Sequence, residues 1–182
     1  MCRYSTLSYK PHYACFTCRK SFKRRLLWDI SRDSKIDKEA KCPQCGELMA
    51  DMGLDFESPK KDDIKQWKHI QNLYKVGITF HSCGCSGPGY IPQDIQTLVA
   101  YFEEILKEYH KQLVFWRNRI EPTTNSAIQS EKSKHWTTIS QFPLEFRAKA
   151  GVITNEEVIR YWLNRIKEVE QKLEIIKIAK TN

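Results

Sequence analysis

The sequence predicts an α+β protein: a small β module organised by paired cysteines, followed by an antiparallel helical hairpin. Three observations predict it. Residues 1–90 hold all seven cysteines, with prolines, glycines and short β-rich runs between them. Residues 91–182 contain long stretches free of glycine and proline, with apolar side chains recurring at three- and four-residue steps. The change of pattern falls at Gly87-Pro88-Gly89-Tyr90-Ile91-Pro92, which sets a boundary between a 1–90 module and a 91–182 helical domain.

The elements follow in order. Ile64, Trp67, Ile70, Leu73 and Tyr74 mark a short helix that starts near Asp62 and is ended by Gly77. Val76 to His81 then reads as a strand entering a tight turn. From Pro92, the residues Ile95, Leu98, Phe102, Ile105 and Tyr109 lie on one helical face. Leu113, Trp116 and Ile120 continue it with a small slip, up to Pro122. Residues 123–153, rich in Thr, Ser, Lys and Gln, form a long connection with room for one short helix. The last segment is the most regular: Ile159, Trp162, Ile166, Val169, Leu173 and Ile176 alternate by three and four. Thr154 or Asn155 is placed to cap it, and Glu157 stands three residues after Thr154 as in a capping box. Neither stripe can be buried alone, so the two are natural partners in a hairpin; a coiled-coil contact with another chain would use the same pattern.

Composition narrows the class of protein. A chain of 182 residues, 41% hydrophobic and 29% charged, can bury a core and is neither collagen-like nor wholly disordered. No run approaches the ~20 apolar residues that span a bilayer, and Met1-Cys2-Arg3-Tyr4-Ser5 lacks the apolar core of a signal peptide. The expectation is a cytoplasmic protein, not membrane-bound, with reduced thiols. An odd number of cysteines also argues against a closed disulfide framework, leaving metal binding as their explanation.

Cys15-Phe16-Thr17-Cys18 and Cys42-Pro43-Gln44-Cys45-Gly46 are two CxxC pairs separated by 23 residues. Two residues between cysteines let a tight turn aim both thiolates at one ion, and two such turns complete a tetrahedral S₄ site. Pro43 stiffens the second turn, and Gly46 permits the positive φ such a turn requires. Over residues 12–50 the pattern resembles the zinc-ribbon superfamily, whose members hold one ion between two such knuckles, one of them often written CPxCG. The resemblance implies that Cys15, Cys18, Cys42 and Cys45 are the ligands and that the ion is a structural Zn²⁺. Iron in a rubredoxin-like site uses similar knuckles, but those domains are typically acidic and this segment is basic. Four protein ligands leave no open position for a substrate, so the site organises a fold and does not catalyse.

A second cluster, His81, Cys83 and Cys85, places three potential ligands at alternate positions of a glycine-rich turn, with Cys2 or His12 available as a fourth. Small apolar packing of Cys83 and Cys85 is the plainer alternative. This cluster is also the best catalytic candidate, as an open metal site or a reactive thiol. The chain has no GxSxG, HExxH or nucleotide loop, and the reading is non-enzymatic.

The charge points to a partner. Residues 1–90 carry 16 basic and 10 acidic side chains, against 14 and 12 in residues 91–182. The densest cationic run, Arg19-Lys20-Ser21-Phe22-Lys23-Arg24-Arg25, directly follows the first knuckle. On a strand, Arg19, Ser21, Lys23 and Arg25 would share one face and Lys20, Phe22 and Arg24 the other. Cations beside Phe22, with Tyr13, Phe16 and Trp28 nearby in sequence, suit phosphate contacts and stacking on unpaired bases. Zinc ribbons are frequent in transcription, translation and ribosomal proteins, so the resemblance implies RNA or another nucleic acid at the ribosome or a similar nucleoprotein machine. The bland alternative is edge protection, with the aromatics forming the small core. A protein partner docked on the hairpin through Trp116 and Trp162 is the competing function.

Overall fold

A computed structural model of the chain describes residues 10–24, 40–82, 87–139, 142 and 154–181. Its content is α+β, and it divides into two compact units, Met1–Leu98 with Ile175–Asn182, and Val99–Glu174.

In the first unit, three short strands, β1 (His12–Cys15), β2 (Lys20–Lys23) and β3 (Ala50–Gly53), form an antiparallel sheet in the order β2-β1-β3. Cys15 pairs with Lys20, Tyr13 with Phe22 and Ala14 with Ala50. Strand alternation separates two small cores. Ala14, Ala50 and Met52 pack with Phe56, Trp67 and Ile70, the last two from helix α1 (Ile64–Lys75). Cys15, Tyr13 and Phe22 pack with Cys42 and Met49.

Helix α1 has the expected limits and explicable ends. Asp63 caps it, its Oδ1 accepting the Gln66 N–H at 3.0 Å. At the other end Gly77, at φ 81°, donates to Tyr74 O at 3.0 Å and Ile78 to Leu73 O at 2.9 Å, the paired bonds of a Schellman stop. The strand expected from Val76 to His81 does not form. Val76 and Gly77 are consumed by that stop, and Phe80 makes only two backbone bonds, to Met52 O and from the Asp55 N–H. Its chain crosses directly over Gly53, where an added Cβ would lie 2.5 Å from His81 N.

The second unit is helical. It comprises most of α2 (Ile95–Asn118) and α5 (Asn155–Thr181), with α3 (Asn125–Lys134) and α4 (Trp136–Ile139) between them, so the described residues of the 123–153 connection already hold two helices where room for one was expected. Leu113, Trp116, Ile139, Phe142, Val158, Trp162 and Ile166 form its core. Along α2 and α5, Lys172 sits over the Phe102 ring, Arg165 over Tyr109, and Asn155 bonds Arg119, so contacts on one helix rise in number as those on the other fall. Trp116 and Trp162 are 1% and 4% exposed. The chain covers these two indoles itself, so a partner on the helices would have to contact other side chains.

Two stripe assignments need correction. Ile120 is 90% exposed and lies beyond the end of α2, where the Glu121-Pro122 pair disfavours helix. Val158, fully buried, leads the α5 stripe where Ile159 was expected, with Ile159 packing at its edge. The Thr154 cap does form: its Oγ1 accepts the Glu157 N–H at 3.4 Å and donates to the Glu157 carboxylate at 3.1 Å.

Arg119 ties the ends of these helices. Its Nε and Nη2 each reach a Glu131 oxygen at 2.7 Å, Nη1 reaches Asn155 Oδ1 at 2.6 Å, and the guanidinium lies 4.9 Å from the Trp116 ring centre. The Arg119 side chain is only 7% exposed. Among the described residues no helix is long and apolar enough to cross a membrane.

Two predictions follow from this geometry. Gly46, at φ 78° with nothing near its Cβ position, should tolerate alanine at a cost of about 1–2 kcal/mol, whereas Gly53→Ala should lower the melting temperature much further, as read by thermal denaturation. Arg119→Ala leaves the Glu131 charge without its partner in a mostly buried position and should cost about 3 kcal/mol or more in urea unfolding, with Arg119→Lys intermediate because an ammonium cannot reproduce the fork.

Candidate metal centre

The two CxxC segments are tight turns presented from different elements. Cys15 ends β1, and Cys18 follows in a turn whose backbone N–H lies 3.4 Å from Cys15 Sγ. Cys42 and Cys45 sit at the tip of a narrow arm: Cys42 N–H donates to Glu47 O at 2.7 Å, Met49 N–H to Ala40 O at 2.8 Å, and Lys41 bridges Leu48. Gly46 N–H closes the turn on Cys42 O at 2.9 Å, and Gln44 N–H points at Cys42 Sγ from 3.4 Å.

These turns bring all four sulfurs within 4.8 Å of one another. Cys15 Sγ and Cys45 Sγ are 3.5 Å apart, and Cys18 Sγ and Cys42 Sγ 3.9 Å. A tetrahedral ion with metal–sulfur bonds of about 2.3 Å needs sulfurs about 3.8 Å apart, so these two separations bracket the requirement. All four thiols are free of disulfides. Cys15 and Cys42 are buried, Cys18 is half-buried and Cys45 is exposed.

The charge of the cluster is unevenly held. Burial pushes the Cys15 thiol up, and Cys18 is pushed up to about 12, first by the neighbouring Cys45 thiol and then by burial. Burial also opposes ionisation of Cys42, yet the Cys45 and Gln44 backbone N–H groups, with the Cys15 and Cys45 thiols, bring it down to about 7. Cys42 therefore gives up its proton more readily than Cys15 or Cys18. Full ionisation needs a cation among the sulfurs, which is how metal binding expels thiol protons.

Each knuckle is followed by a left-handed residue. After Cys45 it is Gly46, as the sequence indicates; after Cys18 it is Arg19, at φ 51° and alone among the described non-glycine residues in having positive φ. Arg19 is thus part of the knuckle and not of β2, and its Nε donates to Lys61 O at 2.9 Å. The signal was available: Arg19 and Gly46 occupy the same place relative to their CxxC pairs.

That placement redistributes the cationic run. Arg19 is tied to the loop before α1, Arg24 lies 5.8 Å from the Tyr13 ring centre, and Phe22 packs against the cysteine core. The single face expected for Arg19, Ser21, Lys23 and Arg25 does not form, because Arg19 leaves the strand in the turn; Arg25, like Trp28, lies outside the described residues. Lys20 and Lys23 are exposed, at the two ends of β2.

Of the second cluster, Cys83 and Cys85 lie outside the described residues, as does Cys2. His81 is engaged by the protein: Nδ1 is 2.9 Å from Thr79 Oγ1 and Nε2 3.3 Å from Asp51 Oδ1. His12 packs edge-on to Phe56, and burial, with Lys23 nearby, lowers its pKa.

No protein-family model, curated protein or solved structure matches the chain at significant similarity.

The purified protein should carry one tightly held metal ion per chain by elemental analysis. Cys42→Ser should abolish it and loosen the sheet, seen as loss of amide protection over 12–23 and 50–53, while α5 keeps its protection.

Proposed function

We propose that the protein is a zinc-binding, non-catalytic RNA-binding protein of the cytoplasm, working at the ribosome or another nucleoprotein assembly. Cys15, Cys18, Cys42 and Cys45 would hold the Zn²⁺, whose contribution is to join two segments too small to fold by burial alone. Four sulfurs fill a tetrahedral ion, which leaves no position for a substrate. Zinc is favoured over iron by the basic surroundings. The same reading takes α2 and α5 as an antiparallel hairpin that braces the protein or receives a protein partner.

The observation that carries the nucleic-acid reading is the pair of exposed lysines, Lys20 and Lys23, on the strand leaving the first knuckle, within the half of the chain that bears the charge excess. Arg19 and Arg24 have internal partners, so the exposed cations are fewer than the run of letters indicates. Each remaining phosphate contact should contribute about −0.7 to −0.9 to the slope of log K against log salt. Binding of RNA across a salt series should therefore show a steep slope that flattens by about 1.5 in the Lys20→Ala/Lys23→Ala double variant. Absence of binding at low salt, or an unchanged slope, would remove this role from β2 and leave the interaction-adaptor reading. A colourless protein with one equivalent of zinc is expected; visible thiolate-to-iron absorption would assign iron.

A further inference from the structure

The first knuckle lies along α1. Phe16, inside the CxxC turn, sets its ring 6.4 Å from Trp67 and 6.0 Å from Tyr74, two positions seven residues apart on α1. At the helix's start, Arg19 Nε holds Lys61 O at 2.9 Å. The turn that carries two of the four sulfurs is therefore anchored at both ends of one helix, which brings residues distant in sequence onto one surface. Before the first turn of α1 stand exposed Lys60 and Lys61, next to exposed Asp62 and Asp63, and near its end Tyr74, 40% exposed beside half-buried Phe16.

We infer that this surface, with Lys60 and Lys61 at one end and the Tyr74 ring at the other, binds single-stranded nucleic acid, stacking a base on Tyr74. The inference rests on the nucleic-acid reading above and deepens it by naming the strandedness and the stacking residue. Cations alone suit any polyanion, whereas a part-exposed aromatic ring beside them can stack on a base that is not paired in a duplex. Trp67, 2% exposed, is committed to the core, and its Nε1 donates to Lys60 O at 3.1 Å; it supports the platform and Tyr74 completes it. From Ile64 to Tyr74 the helix spans about 15 Å, enough for several nucleotides to run from the lysines to the ring. The shared chemistry is the unpaired polynucleotide, RNA or DNA.

The test uses the full chain with its metal, titrated with uridine and thymidine homopolymers of about a dozen nucleotides and with a blunt DNA duplex of the same length. Both single strands should bind more tightly than the duplex. Tyr74→Ala should weaken the single strands about 5- to 150-fold, Tyr74→Phe should restore binding, and Lys61→Ala should lower the salt slope by about 0.7. Unchanged metal content and circular dichroism in Tyr74→Ala exclude a folding defect; if either changes, Tyr74→Phe together with Lys61→Ala decides. If Lys20→Ala/Lys23→Ala removes binding while Tyr74→Ala leaves it intact, or if the duplex binds as well as the single strands, this inference falls and the strand reading stands. If no nucleic acid binds at low salt, both fall. A preference for the uridine oligomer assigns RNA, and equal binding assigns unpaired strands of either kind.

Discussion

The convergence of four thiols is the constraint on which the first unit depends. Its sheet has three strands of four residues, and its two small cores are divided between opposite faces of that sheet. Cores of that size contribute little against the entropy of ordering the chain. One ion linking Cys15 and Cys18 to Cys42 and Cys45 would close a loop of more than twenty residues and hold the β1–β2 turn against the Cys42–Cys45 arm. The arrangement of charge agrees: Cys42 ionises readily, and Cys15 and Cys18 are restrained until a cation joins them.

Much of this was legible because it rests on local stereochemistry. The CxxC spacing located the cluster, Gly46 the left-handed turn, Thr154 and Glu157 the start of α5, and Gly77 the end of α1. What escaped depended on where other residues already stood. Arg19 looked like the first cation of a strand because charge patterns carry no φ; only the need of a second knuckle for a left-handed residue reveals it. Phe80 sits in a β-like run, yet the stop at Gly77 and the close crossing over Gly53 use up the backbone that a ladder would need. Ile120 fits the periodicity of α2, but the helix ends first and Arg119 takes the last buried place. Val158 and Ile159 both suit a helix face, and only the packing of Trp162 and Phe142 chooses between them.

The same distinction governs the functional reading. Counting cations overstates a surface when arginines are also the protein's means of tying loops together. Arg19 and Arg24 hold the module's own parts, as Arg119 does in the helical unit, while Lys20 and Lys23 stand exposed. Guanidinium forks suit fixed internal acceptors, while flexible ammonium groups suit a mobile phosphate chain.

Arg119 also bears on how the helical unit assembles. Its fork reaches a carboxylate 12 residues away and an amide 36 residues away. Closing the longer loop costs about 1 kcal/mol more in chain entropy than closing the shorter one. The contact with Glu131 is thus the cheaper of the two to close, and the guanidinium it holds is oriented toward Asn155, the first residue of α5.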